Sequence, residues 1–338
     1  MKTITLEKPG SFRLHDTAAP VLDSSGEAIV KIHRVGICGT DLHAYRGKQP
    51  FFSYPRILGH ELGVEVVAVD PNDRGLKAGD RCAVLPSMTC GRCIACRRGK
   101  PQCCMNIRVL GVHMDGGMRE LLKVPVAKLF PSTELSFDQL ALVETLGIGS
   151  HAVQRGQIEP DETVLVIGAG PIGLSVIQFV KVAGARTIVL DINEDRLRFC
   201  REKIGIEHTI LDGPETVAEL KKLTSDELPT TVIDATGNPA SMTNAFRYIA
   251  HGGKLVFVGV FQGDLTFNDP DFHRRETTLM ACRNSQPQDF ERIVSLMEAG
   301  RLDTTPWITH RCTSDEMIER FPSWLEPSAK VLKAVVSF

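Results

Sequence analysis

Apolar positions along the chain follow two rhythms. Up to about residue 150 they alternate with polar ones in short runs, among them EAIVKIHRVG, VEVVAV and DRCAVLP, set apart by glycines and prolines. Alternation of period two bounded by turn residues predicts half-buried strands. From about residue 160 the apolar runs ETVLVIG, RTIVLD, TTVIDATG and GKLVFVGV are continuous, and between them lie the helical segments PIGLSVIQFVKVAG, NEDRLRFCREKIG and ASMTNAFRYIA. Strand and helix in turn predict a parallel sheet covered on both faces. QDFERIVSLMEAG predicts a further helix and KVLKAVVSF a closing strand, and this last part of the chain is expected to return to the first domain. The uncharged stretch from Thr163 to Val180 is long enough to resemble a membrane span. Gly168, Gly170, Pro171 and Gly173 interrupt it, so it predicts a buried strand, a tight turn and a helix.

A length of 338 residues exceeds what one hydrophobic core normally organises, so two domains are expected. Hydrophobic residues at 43% and charged residues at 24% fit a globular protein, and a net charge of −2 offers no basic surface to nucleic acid. The opening MKTITLEKPG lacks the apolar run of a signal peptide, so neither export nor a membrane partner is expected. The cytoplasm is reducing, and clustered cysteines there read as metal ligands before disulfides.

VLVIGAGPIGL places Gly168, Gly170 and Gly173 in the spacing G-x-G-x-x-G between a predicted strand and a predicted helix. In that context Gly168 permits the tight turn, Gly170 lets the backbone approach a pyrophosphate and Gly173 allows close helix–strand packing. With Pro171 and Ile172 they open a helix whose free N–H groups attract the anion. Asp191 ends the next strand, where its carboxylate would bind the adenosine ribose hydroxyls and repel a 2′-phosphate, which favours NAD over NADP. The same acid could instead open the helix that begins at DINED. Arg196, a few residues on, is close enough to fold back toward the ribose.

Half of the ten cysteines fall between residues 90 and 104. Cys90, Cys93, Cys96 and Cys104 have the spacing C-x2-C-x2-C-x7-C, and four thiolates can surround one Zn²⁺ at about 2.3 Å in a closed, structural site. An iron–sulfur cluster would use the same donors, and on spacing alone Cys103 substitutes for Cys104. A second group, Cys38, Thr40 and His43 in GICGTDLH, His60 and Glu61 in LGHELG, and Glu144 in ALVETLG, contains the mixed donors of an open zinc site.

Taken together, VGICGTDLH, YPRILGHE, the four-cysteine lobe, GAGPIGL, VIDATG and GGKLVFVG occur in the order found in the zinc-dependent medium-chain alcohol and polyol dehydrogenases, the group containing sorbitol and threonine dehydrogenases, which the chain resembles over essentially its whole length. FFSYPRILGHE, VLGVHMDGG and DFHRRETT look nearest to its bacterial sugar-acid dehydrogenases. The resemblance implies an α/β protein with a GroES-like, β-rich catalytic domain over 1–150, completed by 285–338, and a Rossmann domain with a doubly wound parallel sheet over 151–284. It implies a catalytic zinc held by Cys38, His60 and Glu61, with Glu144 binding the ion or its water, and a structural zinc on Cys90, Cys93, Cys96 and Cys104. Thr40 would accept the substrate hydroxyl proton and His43 pass it outward. The expected reaction moves a hydride from a secondary alcohol of a polyol or sugar acid to NAD⁺, in a homo-oligomer, a dimer or a tetramer. Rival readings are a threonine-type or other small secondary-alcohol dehydrogenase, a zinc-free enone reductase on the same scaffold, and a non-enzymatic NAD-binding sensor. Three positions depart from the usual pattern: Val64 stands where glycine is common and Gly63 precedes it, Asp70 replaces a glycine, and Thr145 replaces a proline.

Overall fold

The computed structural model describes residues 1–49 and 52–338, so Phe51, in the FFSYPRILGHE motif, lies outside the described residues. The chain divides into two compact units, Met1–Glu144 with Gln286–Phe338, and Thr145–Ser285. The division falls inside the long helix Phe137–Gly156, a few residues before the boundary expected at residue 150.

The first unit is built on a seven-stranded sheet. Its path runs Ile308–Thr313, Lys333–Ser337, Glu27–Ile37, Glu61–Val69, Arg81–Val84 and Leu129–Pro131, with Leu121–Pro125 pairing onto Glu27–Ile37 off that path. The closing strand therefore lies inside the sheet, next to its edge strand Ile308–Thr313 and paired antiparallel to Glu27–Ile37 with Ala334 opposite Ile37. On its other side Glu27–Ile37 pairs antiparallel with Glu61–Val69, and Gly36 faces Glu61. Alternate residues of these strands, Ala28, Val30, Ile32, Val64 and Val66, are fully buried and share a core with Met317, Phe321 and Trp324 from the returning C-terminal segment. This is the half-buried period-two alternation read from the sequence.

The second unit holds a six-stranded parallel sheet in the order His208–Leu211, Arg186–Asp191, Thr163–Ile167, Thr231–Asp234, Lys254–Phe257, Thr278–Ala281. In chain order that is 3-2-1-4-5-6, the doubly wound Rossmann arrangement, with the order reversing beside Thr163–Ile167. Val164, Leu165, Val166, Val232 and Ile233 show no exposure, as continuous apolar strands of a parallel sheet require. The stretch Thr163–Val180 is the strand Thr163–Ile167 and the first turns of the helix Pro171–Ala183. Among the described residues no helix is long and apolar enough to cross a membrane.

One departure from the usual pattern now has a structural reason. A Cβ on Gly63 would overlap the carbonyl oxygen of Phe137, at the start of the helix that carries Glu144. The glycine lets that helix lie against the strand. Gly63→Ala should therefore destabilise the protein by about 1–3 kcal/mol, the usual cost of overpacking. A lowered denaturant midpoint checks this, and an unchanged midpoint would mean the helix moves away freely.

Candidate metal centres and cofactor cradle

Register alone assembles the first site. Cys38 follows the strand Glu27–Ile37, Glu61 opens the strand paired to it on one side, and Lys333 opens the strand paired on the other. The donor atoms of Cys38, His60 and Glu61 lie within 4.8 Å of one another. His60 and Glu61 are buried and Cys38 is half-buried, at the N-cap of the short helix Gly39–Tyr45. The Cys38 N–H donates to Asp41 Oδ2 at 2.9 Å, which fixes the turn that presents the sulfur. Asp41 Oδ1 lies 3.9 Å from His60 Nδ1, and both are buried atoms without a hydrogen-bond partner. Glu61 accepts from Lys333 Nζ at 2.7 Å on each carboxylate oxygen, and the same ammonium donates to the Ile37 carbonyl at 3.2 Å.

The electrostatics show what this set lacks. Burial presses the His60 imidazole toward neutrality, yet the neighbouring Cys38, Asp41 and Glu144 hold its pKa well above the ordinary value. Burial raises the Asp41 carboxyl, with His60 pulling it down. Burial also pushes half-buried Glu144 up to about 7, His60 opposing and Glu61 adding to the rise. Cys38, Asp41, Glu61 and Glu144 thus crowd around one lysine and one histidine. An excess of buried negative donors with orphaned polar atoms fits a divalent cation held by sulfur, nitrogen and carboxylate. Glu144 is near enough to feel these charges but is not in the tight group. Thr40, half-buried, and His43, exposed, are three residues apart on the helix Gly39–Tyr45 and share one face. Asp41 and Lys333 are the site residues that sequence reasoning missed. Their signal was a charged residue at an inward position: Asp41 inside TDLH, and Lys333 at the head of the apolar run AVV.

The second donor set lies within a lobe of short turns. The sulfurs of Cys90, Cys93, Cys96 and Cys104 are within 4.8 Å of one another, and Cys103 is exposed outside the group. Cys93–Cys96 and Cys90–Cys104 separations of 3.5 Å are far longer than a disulfide bond, and all ten cysteines are free. N–H groups surround the sulfurs: Cys90 and Asn106 donate to Cys104 Sγ at 3.3 and 3.4 Å, and the Asn106 amide to Cys90 Sγ at 3.7 Å. The N–H groups of Arg92 and Cys93 bring the Cys90 thiol down to about 6, while burial and the neighbouring sulfurs push Cys96 up to about 12. One thiol is thus prepared to ionise and another prevented, a conflict that a central cation removes. Cys82, Cys200 and Cys312 are buried elsewhere.

In the second unit, Gly168 has φ +94°, and a Cβ on Gly173 would overlap its carbonyl oxygen, so helix and turn meet in backbone contact. Pro171 is the first residue of the helix, after an N-cap at Gly170. Buried Asp191 accepts from the N–H of Ala169 at 2.6 Å and of Asn193 at 2.8 Å. The following helix is capped by Asn193, whose side chain accepts from Asp195 and Arg196 N–H groups, so the capping role that DINED offered to Asp191 falls to its neighbour. Asp191 instead ties the glycine turn to the end of its strand, and its carboxylate retains acceptor capacity for ligand hydroxyls. Exposed Arg196 places Nη1 3.7 Å from where a Gly170 Cβ would stand, beside the glycine turn. Exposed Arg283 lies in the same unit, after the last strand of the sheet.

Residues 24–134 match the model of the alcohol dehydrogenase GroES-like domain, and residues 171–299 that of the zinc-binding dehydrogenase. The chain is 40% identical over 338 residues to the L-galactonate-5-dehydrogenase of Escherichia coli K12, covering 100% of this chain and 99% of that protein. The chain belongs to the zinc-binding alcohol dehydrogenases. Sorbitol dehydrogenase of Bacillus subtilis is 30% identical to this dehydrogenase, over 99% of this chain and 97% of that enzyme. Among solved structures, the alcohol dehydrogenase RspB of Escherichia coli CFT073, complexed with NADH, superposes with a TM-score of 0.92 at 30% identity, covering 100% and 99% of the two chains. The resemblance read from the motifs is thereby shown, and with it an oxidoreductase of the zinc-dependent type.

The sulfur geometry separates the adjacent cysteines. Cys104→Ser should lower the zinc content of the purified dehydrogenase by about one ion per subunit and reduce its thermal stability, while Cys103→Ser leaves both unchanged. Metal analysis with thermal melts checks this, and equal losses in the two variants would contradict the assignment.

Proposed function

We propose that this dehydrogenase oxidises a secondary alcohol of a polyhydroxylated chain, a sugar acid before a simple polyol, to the ketone, with NAD⁺ as hydride acceptor and release of one proton. The mixed donor set of Cys38, His60 and Glu61, with Glu144 beside it, carries this reading, because it pairs a cation-binding site with carboxylates that can meet a neighbouring hydroxyl. The 40% identity with an L-galactonate-5-dehydrogenase supports the sugar-acid class. When bound, zinc lowers the pKa of an attached hydroxyl and the nicotinamide takes up hydride. The chain does the rest. Cys38, His60 and Glu61 hold the cation, and Glu144 binds it or its water. Thr40 Oγ1 takes up the hydroxyl proton as it passes its own on to His43, one turn along the same face, which hands it to water. Cys90, Cys93, Cys96 and Cys104 hold a second, structural zinc. Gly168, Gly170, Pro171, Ile172 and Gly173 receive the pyrophosphate, Asp191 the adenosine ribose, and Arg196 flanks them. A cytoplasmic homo-oligomer, dimer or tetramer, is the corresponding cellular form.

The test is a substrate panel. Sugar acids should give the highest kcat/KM, polyols less, and ethanol or threonine at least about a hundredfold less, a difference of roughly 2.7 kcal/mol. Threonine as the best substrate would replace the sugar-acid reading with that of an amino-alcohol dehydrogenase.

Asp191 generates a separate expectation. Asp191→Ser should lower kcat/KM with NAD and raise it with NADP, shifting the preference by about tenfold or more as the charge clash with the 2′-phosphate disappears. Because the carboxylate also anchors Ala169 and Asn193, the variant should melt at a lower temperature. An unchanged NAD/NADP ratio in a folded variant would remove Asp191 from cofactor choice.

A further inference from the structure

The ion pair of Lys333 and Glu61 is almost completely buried. Each side chain is 1% exposed, and the ammonium reaches both carboxylate oxygens at 2.7 Å. A Cβ on Gly36 would overlap Glu61 Oε2, so the neighbouring strand is hollowed where that carboxylate lies. Strand pairing of Ala334 with Ile37, and of Gly36 with Glu61, sets Lys333 and Glu61 at the same end of the sheet. Yet a Glu61 oxygen is also within 4.8 Å of the Cys38 sulfur and a His60 nitrogen. One carboxylate thus faces two cation positions, one filled by the chain's own lysine.

We propose that Lys333 is a positioning residue that competes with the metal for Glu61. By holding both oxygens it weakens Glu61 as a donor to the ion and keeps a coordination position available for the substrate hydroxyl. The inference rests on the reading of Cys38 and His60 as a zinc site, and the zinc content of the unaltered enzyme tests that reading by itself. Removing the lysine removes a positive charge next to the ion and frees an anionic donor, and both changes favour metal. Replacing both partners by neutral groups removes the competition altogether.

The experiment measures zinc loss to a chelator, using Cys104→Ser as the background so that only the open site is followed, together with the visible spectrum of the cobalt-substituted protein. Lys333→Met should lose zinc about tenfold or more slowly, and its cobalt bands should weaken as the coordination number rises. Lys333→Arg, which keeps the pair, should behave as the parent. Glu61→Gln/Lys333→Met should return to within a few-fold of the parent rate, because the tightening acts through Glu61. Should Lys333→Met not fold, Lys333→Gln, neutral but still a hydrogen-bond donor, replaces it, with the same direction of change. Unchanged or faster zinc loss without the lysine would overturn the proposal, as would tightening that persists in the double variant. Unaltered enzyme without zinc at the open site would instead sink the reading beneath it.

Discussion

Three neighbouring strands of the first unit end at one place, and what they bring there is charge. Cys38, Glu61 and Lys333 come from segments far apart in the chain, and only the pairing of Gly36 with Glu61 and of Ala334 with Ile37 brings them together. A slip of one residue in either ladder would turn the buried lysine or glutamate to the opposite face and leave its partner as an isolated charge in the core. Breaking a buried pair costs about 3–5 kcal/mol, so the ion pair enforces the register that creates it. The position of the cysteine, the histidine and the carboxylates around them follows from that register.

The two metal centres solve the same electrostatic problem by different means. In the cysteine lobe the donors are all sulfur and are steadied by N–H groups from Arg92, Cys93 and Asn106, so the backbone itself lowers the energy of the thiolates. Around Cys38 the turn is held by Asp41, and the negative charge is answered by Lys333 and the His60 imidazole. The first arrangement is complete once four sulfurs are satisfied. The second mixes soft and hard donors, and burial raises the carboxyl of Glu144 beside it.

Features that depend on neighbouring residues were legible in the sequence. The glycine turn at 168–173, the continuous apolar strands and the cysteine spacing each have a local physical signature, and the parallel sheet follows from their alternation. Grouping Cys38 with His60 and Glu61 needed the resemblance to a family, since spacing that wide carries no mechanical signal. Lys333 escaped because its meaning lies entirely in a partner 272 positions away. Asp41 escaped because TDLH draws attention to Thr40 and His43, while the aspartate between them is the buried one. For Asp191 a position at a strand end was readable, but its two backbone hydrogen bonds appear only when the strand and the glycine turn are side by side.

The first unit is interrupted in the chain by the whole of the second, 145–285, and its inner strand Lys333–Ser337 belongs to the later portion. During synthesis the cysteine, the histidine and the glutamate therefore emerge well before the lysine that answers the glutamate's charge. The contiguous second unit has all its strands available while the first still lacks Ile308–Thr313 and Lys333–Ser337. Until that strand inserts, the sheet has an open seam along Arg34–Ile37, and the Glu61 carboxylate stands beside a thiol without its lysine. Until then that edge is open to pairing with other chains. The order of translation thus makes closure of this seam the step at which the centre acquires its final charge balance.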